Sequence, residues 1–139
     1  MSQVTFYLMQ DDDREALVCQ LVANYWRDGH VYCLCRDQEQ ALRLDERLWQ
    51  LPADRFVPHQ LQEESGQAQV EIGHLPPRRR YARLINLTDD TPLFAGEFAQ
   101  VVDFVPTNES DKQQARERYK AYRQAGHMLE TLEPPSAAS

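Results

Sequence analysis

Residues 4–35, which read VTFYLMQDDDREALVCQLVANYWRDGHVYCLC, decide the predicted fold. They open with an apolar, β-branched and aromatic run over Val4–Met9, which is typical of a buried strand. A helical pattern then continues to about Asp28, and Gly29 ends it before a second apolar strand over His30–Cys35. A strand, a helix of this length and another strand make a βαβ unit, which closes right-handed onto a parallel sheet. The sequence therefore predicts an α/β fold with a mainly parallel central sheet flanked by helices.

The first turn of that unit differs from a phosphate-binding loop. Nucleotide-binding folds often place a glycine-rich cradle here, whereas this chain has Gln10 followed by Asp11, Asp12 and Asp13. Three carboxylates at a helix N-terminus would repel phosphate, and a helix cap is favoured over the alternative of a metal site. The pattern indicates a nucleotide-binding architecture without a nucleotide site, and no cofactor or metal is expected.

Length and composition indicate one globular domain. The chain has 139 residues, 42% of them hydrophobic, and we expect a domain over residues 1–130 and a flexible tail over 131–139. The remaining predicted elements are a helix over Asp37–Gln50, short strands over Val70–Gly73 and Ala82–Leu87, a helical turn within Thr91–Ala99, a strand over Val101–Val105 and a helix from Ser110 to Gly126. Between them, Gln62–Gln69 is polar and is predicted to be a mobile loop.

Charge and cysteine content narrow the class of function. A net charge of −7 disfavours strong direct binding of nucleic acid, since that affinity comes mainly from neutralised phosphates. Cys19, Cys33 and Cys35 show no metal-ligand spacing and are interpreted as buried thiols in a reducing compartment. No apolar stretch approaches 18 residues and no signal peptide is evident, so a cytoplasmic, non-membrane protein is expected.

The last predicted helix has a charge opposite to that of the rest of the chain. Residues 111–123 carry five basic and two acidic side chains, whereas the other residues carry ten basic and twenty acidic ones. At about 100° per residue, five side chains fall within roughly a third of the helix circumference. These five residues, which we call the cationic stripe, are Lys112, Arg116, Tyr119, Lys120 and Arg123.

Two interpretations of the cationic stripe are open. It is either a solvated helix face or the basic wall of a crevice whose apolar floor is the end of the preceding strand. The second is favoured because the positive charges share a face with Tyr119 instead of alternating with acids. Such a crevice suits an anionic ligand with a hydrophobic part, for example the free carboxylate of a peptide with apolar side chains.

A second candidate surface follows the predicted helix over Asp37–Gln50. Proline-rich sequence over residues 51–61 argues against a regular element there, although Phe56, Val57 and Leu61 are apolar. The apolar side chains either complete the core beneath the loop or, with Trp49 and Pro58, form an exposed patch that binds protein.

Groups for catalysis are scarce. The four histidines are scattered, no nucleophile elbow or HExxH motif occurs, and no catalytic residue is predicted. Asp103 lies within an apolar strand and is interpreted as a buried partner for an arginine. Arg78, Arg79 and Arg80 could touch phosphate, but a solvated turn is favoured.

Three blocks of sequence carry a family resemblance: VTFYLM near the start, QALRLDERLWQLPADRFVPH in the middle, and VVDFVP followed by DKQQARERYKAYRQAGH near the end. In this order the chain resembles the chi subunit of bacterial DNA polymerase III holoenzyme. The resemblance implies a non-catalytic accessory protein of the clamp loader with an α/β fold. It also implies pairing with the psi subunit, which connects it to the clamp-loader complex. A separate site is implied for the acidic C-terminal tail of single-stranded DNA-binding protein.

The resemblance also assigns residues by position. The implied tail-binding site comprises Val105, Lys112, Arg116, Tyr119, Lys120 and Arg123. The implied psi-binding surface comprises Met1, Trp49, Phe56, Pro58 and Leu61. The chain departs from the family at Asp11–Asp13, at Gln62–Gln69 and in its last ten residues. Two alternatives stay open: an enzyme that binds a small anionic molecule in the same crevice, and direct binding of single-stranded DNA through Arg78–Arg80 and the basic helix.

Overall fold

A computed structural model of the chain describes residues 2–53, 55–64 and 66–135. Within these residues seven strands form one sheet in the order β3-β4-β2-β5-β6-β1-β7, and every recorded strand pairing is parallel. The elements are β1 Gln3–Leu8, α1 Arg14–Tyr25, β2 Val31–Leu34, α2 Gln38–Gln50, β3 His59–Leu61, β4 Val70–Gly73, β5 Arg83–Asn86, β6 Gln100–Val105, α3 Glu109–Gln124 and β7 Met128–Leu132. The predicted fold class is confirmed.

Helices cover both faces of the sheet, and this is why the central strands are apolar on both sides. On one face α1 and α2 pack against a cluster that includes Leu21, Leu44 and Phe104, each fully buried. On the other face α3 packs against a second cluster around Phe6 and Tyr122. The placement of α3 on its own face, over β6 and β7, separates its surface from that of the other two helices.

Side-chain caps fix where the helices begin. Asp13 caps α1 by accepting a hydrogen bond of 3.1 Å from the amide of Ala16, as the acidic turn predicts. The start predicted for the last helix, Ser110, is one residue too late: α3 begins at Glu109, and Asn108 caps it by accepting a 2.8 Å hydrogen bond from the amide of Asp111. Asn108 and Ser110 are both good cap residues, so the pattern alone did not separate them. The helix ends as predicted, with Gly126 at a φ of 91°.

Both edge strands of the sheet, β3 and β7, differ from the sequence-based prediction. The edge strand β3 follows Pro58 directly, in a segment where prolines argued against a regular element. A proline is compatible with the start of an edge strand, because its missing N–H need not pair there. At the other edge, β7 pairs with β1 and includes Thr131 and Leu132, so the prediction of a tail is wrong for these residues. Residues 136–139 lie outside the described part of the chain.

One predicted loop is partly ordered, and one predicted helical turn is confirmed as a short one. Gln62 begins the predicted mobile loop, yet it is buried and accepts a 3.1 Å hydrogen bond from the hydroxyl of Tyr32. Within Thr91–Ala99 only Ala95–Glu97 forms a short 3₁₀ turn. None of the helices in the described residues is long and apolar enough to cross a membrane.

A buried ion pair attaches α3 to β6. The guanidinium of Arg118 lies 3.1 Å from the carboxylate of Asp103, and both side chains are at most 4% exposed. The same carboxylate accepts hydrogen bonds from the Tyr122 hydroxyl at 2.8 Å and from the Asn86 amide at 3.1 Å. Burial, reinforced by the charge of Asp103, raises the pKa of Tyr122 well above its usual value, so this hydroxyl stays a donor. The sequence-based interpretation of Asp103 as a partner for a buried arginine is confirmed.

We predict that Asp103→Asn lowers the free energy of unfolding by about 3–5 kcal/mol, because it leaves the buried charge of Arg118 without a counter-ion. Urea denaturation followed by circular dichroism measures the change. Arg123→Ala, on the exposed face of the same helix, is the control and should change stability by less than about 0.5 kcal/mol. Similar losses in the two variants would show that the ion pair does not anchor α3.

Candidate protein-binding surfaces

The structure places the aromatic member of the cationic stripe against the apolar core. The ring of Tyr119 is half-buried and its centroid lies 5.4 Å from that of Phe6 in β1. Val105, at the end of β6, packs against the same cluster. Val105 and Tyr119, predicted as members of one site, therefore adjoin one apolar cluster beside the exposed face of α3.

Three of the four cations of the stripe are accessible and lie close to acids. The side chains of Lys112, Arg116 and Lys120 are 35%, 56% and 66% exposed. Glu109 lies 3.8 Å from the amine of Lys112 and 3.9 Å from the guanidinium of Arg116, and Glu117 lies 3.7 Å from Lys120. The expectation of cations without acidic neighbours is therefore wrong. Exposed pairs at such distances contribute about 0–1 kcal/mol, so a ligand carboxylate can compete for these cations.

Arg118, the fifth basic residue of α3, does not belong to the cationic stripe. Arg118 is buried in the ion pair with Asp103 and presents no charge to the outer face of α3. Its position agrees with the helical spacing, which places Arg118 outside the cationic stripe. The charge count of the helix alone would have included it among the surface cations.

The second predicted surface is an exposed pair of aromatic rings. Trp49 and Phe56 are 60% and 66% exposed, and their ring centroids lie 6.0 Å apart. Val57 is buried, so the alternative in which the apolar side chains of this loop complete the core is confirmed for Val57 and wrong for Phe56. We call these two rings, with Pro58 and Leu61, the aromatic patch. Pro58 and Leu61 are half-buried, and Leu61 also packs against the core. Met1 lies outside the described residues.

A buried histidine, which the sequence analysis did not select, supports the aromatic patch. The ring of His59 lies 4.5 Å from the ring of Trp49. Its Nδ1 is 2.8 Å from the carbonyl of Val57 and its Nε2 is 3.1 Å from the carbonyl of Asp45. These contacts hold the imidazole at the start of β3, beneath the indole. The sequence shows a histidine directly after Pro58, but its role depends on strand β3, which was not predicted.

The two surfaces lie far apart in the fold. The aromatic patch is at the β3 edge of the sheet, at the end of α2. The cationic stripe is on α3, which covers the opposite face and contacts β6 and β7 towards the other edge. A partner on one surface would therefore not cover the other.

A cleft of about 610 Å³ lies at the carboxyl ends of the central strands, where parallel α/β proteins bind ligands. Its lining combines Asp12, Asp89 and Asp111 with Arg14 and Arg36. Arg14 donates a 3.0 Å hydrogen bond to the carbonyl of Leu87, and burial lowers its pKa. The lining carries charges of both signs and no glycine, so it lacks a glycine-rich cradle for a phosphate.

The described residues offer neither a reactive thiol nor a cluster of metal ligands. Burial raises the pKa of the thiols of Cys19 and Cys35 to about 12 and that of Cys33 well above its usual value, so the three cysteines are in the unreactive thiol form. Across the described residues, histidines, cysteines and acids do not form a cluster that could hold a metal ion. In the arginine turn, Arg78 lies 3.6 Å from the buried Glu71 and Arg79 bonds the carbonyl of Ala68 at 3.0 Å.

The fold and these surfaces define a parallel α/β domain that lacks a glycine-rich phosphate loop and exposes one cationic and one aromatic surface. The family model described as "DNA polymerase III chi subunit, HolC" matches residues 1–130, and the chain belongs to this family. The resemblance drawn from the sequence is thus confirmed. Membership connects the chain with DNA replication as an accessory subunit of DNA polymerase III.

Curated relatives agree over nearly the full chain. DNA polymerase III subunit chi of Escherichia coli (strain K12) is 48% identical over 144 residues, covering 94% of this chain and 97% of the relative. The Haemophilus influenzae protein of the same name is 42% identical, covering 91% of this chain and 93% of the relative. The Pseudomonas aeruginosa protein is 36% identical, with coverages of 94% and 95%.

The exposure of the aromatic patch leads to a prediction about stability. Phe56→Ala should change the free energy of unfolding by no more than about 0.5 kcal/mol, because the ring is largely in solvent. Leu48→Ala, which removes a side chain only 2% exposed on the inward face of α2, should cost about 2–5 kcal/mol. Urea denaturation of both variants tests this. If Phe56→Ala lowered the free energy of unfolding as much as Leu48→Ala, the Phe56 ring would have to be part of the core.

Proposed function

We propose that the chain is a non-catalytic accessory subunit of the clamp-loader complex that acts in the cytoplasm and needs no cofactor. Through the cationic stripe it binds the acidic C-terminal tail of single-stranded DNA-binding protein. Through the aromatic patch it forms a heterodimer with the psi subunit, which connects it to the clamp loader. The observation that carries this proposal is an exposed set of cations beside a half-buried tyrosine, in a family member that is otherwise acidic.

The chemistry of the tail matches the cationic stripe. The tail ends in acidic residues, a proline and a phenylalanine whose carboxylate is free. Lys112, Arg116, Lys120 and Arg123 can each give a charge-assisted hydrogen bond to a carboxylate, and such bonds are stronger than neutral ones. The apolar cluster next to Tyr119 offers contact for the phenylalanine ring.

The aromatic patch has the character of a protein interface. Exposed tryptophan and phenylalanine side chains often dominate the affinity of such interfaces when a partner covers them. Trp49 and Phe56 lie together, and His59 supports Trp49 from below, so little side-chain entropy is lost when a partner binds. The assignment of psi to this surface rests on the sequence resemblance.

Tethering is the mechanism. A clamp loader that carries this subunit gains weak, charge-assisted contacts to tails displayed on protein-coated single-stranded DNA. Several tails presented together raise the effective concentration at the stripe, so weak individual contacts suffice. Separate locations for the two surfaces allow both partners to bind at once.

We predict that Arg116→Ala weakens binding of a short acidic peptide ending in proline and phenylalanine by about 1–3 kcal/mol, because it removes a charge-assisted contact. Isothermal titration calorimetry measures the affinity. The control is Arg80→Ala, which removes one exposed positive charge elsewhere and should leave the affinity unchanged.

Two further titrations separate this proposal from its alternatives. The same peptide with an amidated C-terminus should bind more weakly if the stripe holds the terminal carboxylate. Naked oligonucleotide that bound comparably, and more weakly after Arg80→Ala, would support direct binding of DNA instead. An unchanged peptide affinity in Arg116→Ala would remove Arg116 from the site.

We predict that Phe56→Ala abolishes co-purification with psi and leaves peptide binding intact, because the two surfaces are separate. Leu93→Ala is the matched control, since Leu93 is also exposed and apolar but lies in the loop before β6. Raised salt should weaken peptide binding far more than the heterodimer, since screening acts on exposed charges. Survival of the heterodimer in Phe56→Ala would exclude this ring from the interface.

A further inference from the structure

Glu109 lies on the same face of α3 as the cationic stripe. Lys112 is three residues and Arg116 seven residues further along, which places all three side chains within about 60° of the helix circumference. Glu109 lies just before residues 111–123, which carry the net positive charge. The helix itself begins at Glu109, because Asn108 is its cap. An acid thus stands at the N-terminal end of the stripe.

The carboxylate of Glu109 faces the two cations at that end. One oxygen lies 3.8 Å from the amine of Lys112 and the other 3.9 Å from the guanidinium of Arg116. The Glu109 side chain is 80% exposed, and both distances exceed those of a hydrogen bond. The contact is therefore loose, and a carboxylate from another molecule could replace it.

The other acids of the helix are placed differently. The carboxylate of Asp111 accepts a 2.8 Å hydrogen bond from the side chain of Asn108, within the helix cap. Glu117 accepts a 3.1 Å hydrogen bond from Gln113 and lies 3.7 Å from Lys120. Among the acids on α3, Glu109 is the one that lies within 4 Å of both Lys112 and Arg116.

We infer that Glu109 is an internal competitor for the carboxylate ligand of the stripe and sets its affinity. The inference rests on the proposed function and names a determinant of the same site. A ligand carboxylate that binds Lys112 and Arg116 must either displace Glu109 or lie beside its negative charge, and each lowers the net gain in free energy. Each contact to a tail is thereby kept weak and exchangeable, which suits a tether that relies on several tails.

Glu109→Gln tests the inference, because it removes the charge and keeps the shape of the side chain. In the full-length protein, calorimetry with the acidic peptide ending in proline and phenylalanine should show affinity about two- to fivefold tighter than that of the parent chain. Glu46→Gln is the control: it makes the same change in net charge at an exposed position on α2. It should leave the affinity within experimental error.

A double-mutant cycle locates the effect. If Glu109 acts through the cations of the stripe, Glu109→Gln should tighten binding less in an Arg116→Ala background than in the parent chain. An acid at the first position of a helix also stabilises it, so thermal unfolding of each variant checks that both proteins are folded at the titration temperature.

The outcomes are distinguishable. Failure of the peptide to bind the parent chain overturns the proposed function and this inference with it. An affinity that Arg116→Ala leaves unchanged removes Arg116 from the site and overturns the inference alone. A further outcome is that Arg116→Ala weakens peptide binding, but Glu109→Gln binds the peptide no more tightly than Glu46→Gln does. This outcome overturns the inference and leaves the proposed function standing. The inference is also overturned if Glu109→Gln tightens peptide binding as much in the Arg116→Ala background as in the parent chain. The effect would then come from the net charge of the protein.

Discussion

The buried ion pair between Asp103 and Arg118 determines how α3 lies on the sheet. A charged pair with almost no exposure tolerates little change in geometry, because separation would leave two charges unsolvated. With Arg118 and Tyr122 turned inward, the rotation of α3 is fixed and its remaining cations face solvent. The helix thus uses one basic side chain for stability and the others for its surface.

A parallel sheet brings the carboxyl ends of its strands to one edge, and many proteins use that edge for ligands. Here the cleft at this edge is lined by charges of both signs, and the first turn contributes Asp12 and Asp13. The same residues have a structural use, since Asp13 caps α1 and binds Arg47 at 2.6 Å. The architecture is kept, but the turn that carries a phosphate-binding loop in nucleotide-binding folds here serves as a helix cap and ion-pair partner.

The surfaces that we assign to partners lie instead on the outside of the helical layers. Trp49 and Phe56 follow the end of α2 at one edge of the sheet, and the cationic stripe lies on α3 on the other face. Each has a rigid support beneath it: His59 under Trp49, and Phe6 beside Tyr119. Such separation allows one small domain to connect two partners without overlap between them.

The sequence by itself determined the βαβ unit, the fold class, the buried cysteines and the side chains of the stripe, because hydrophobic periodicity and helical spacing are local properties of the chain. Tertiary structure alone decided the edge strands β3 and β7, whose short or exposed segments lack an apolar alternation, and the choice of Asn108 as cap. It also decided that Phe56 is exposed while Val57 is buried, and that Glu109 faces Lys112. These depend on which neighbours the fold supplies, and no local pattern contains that information.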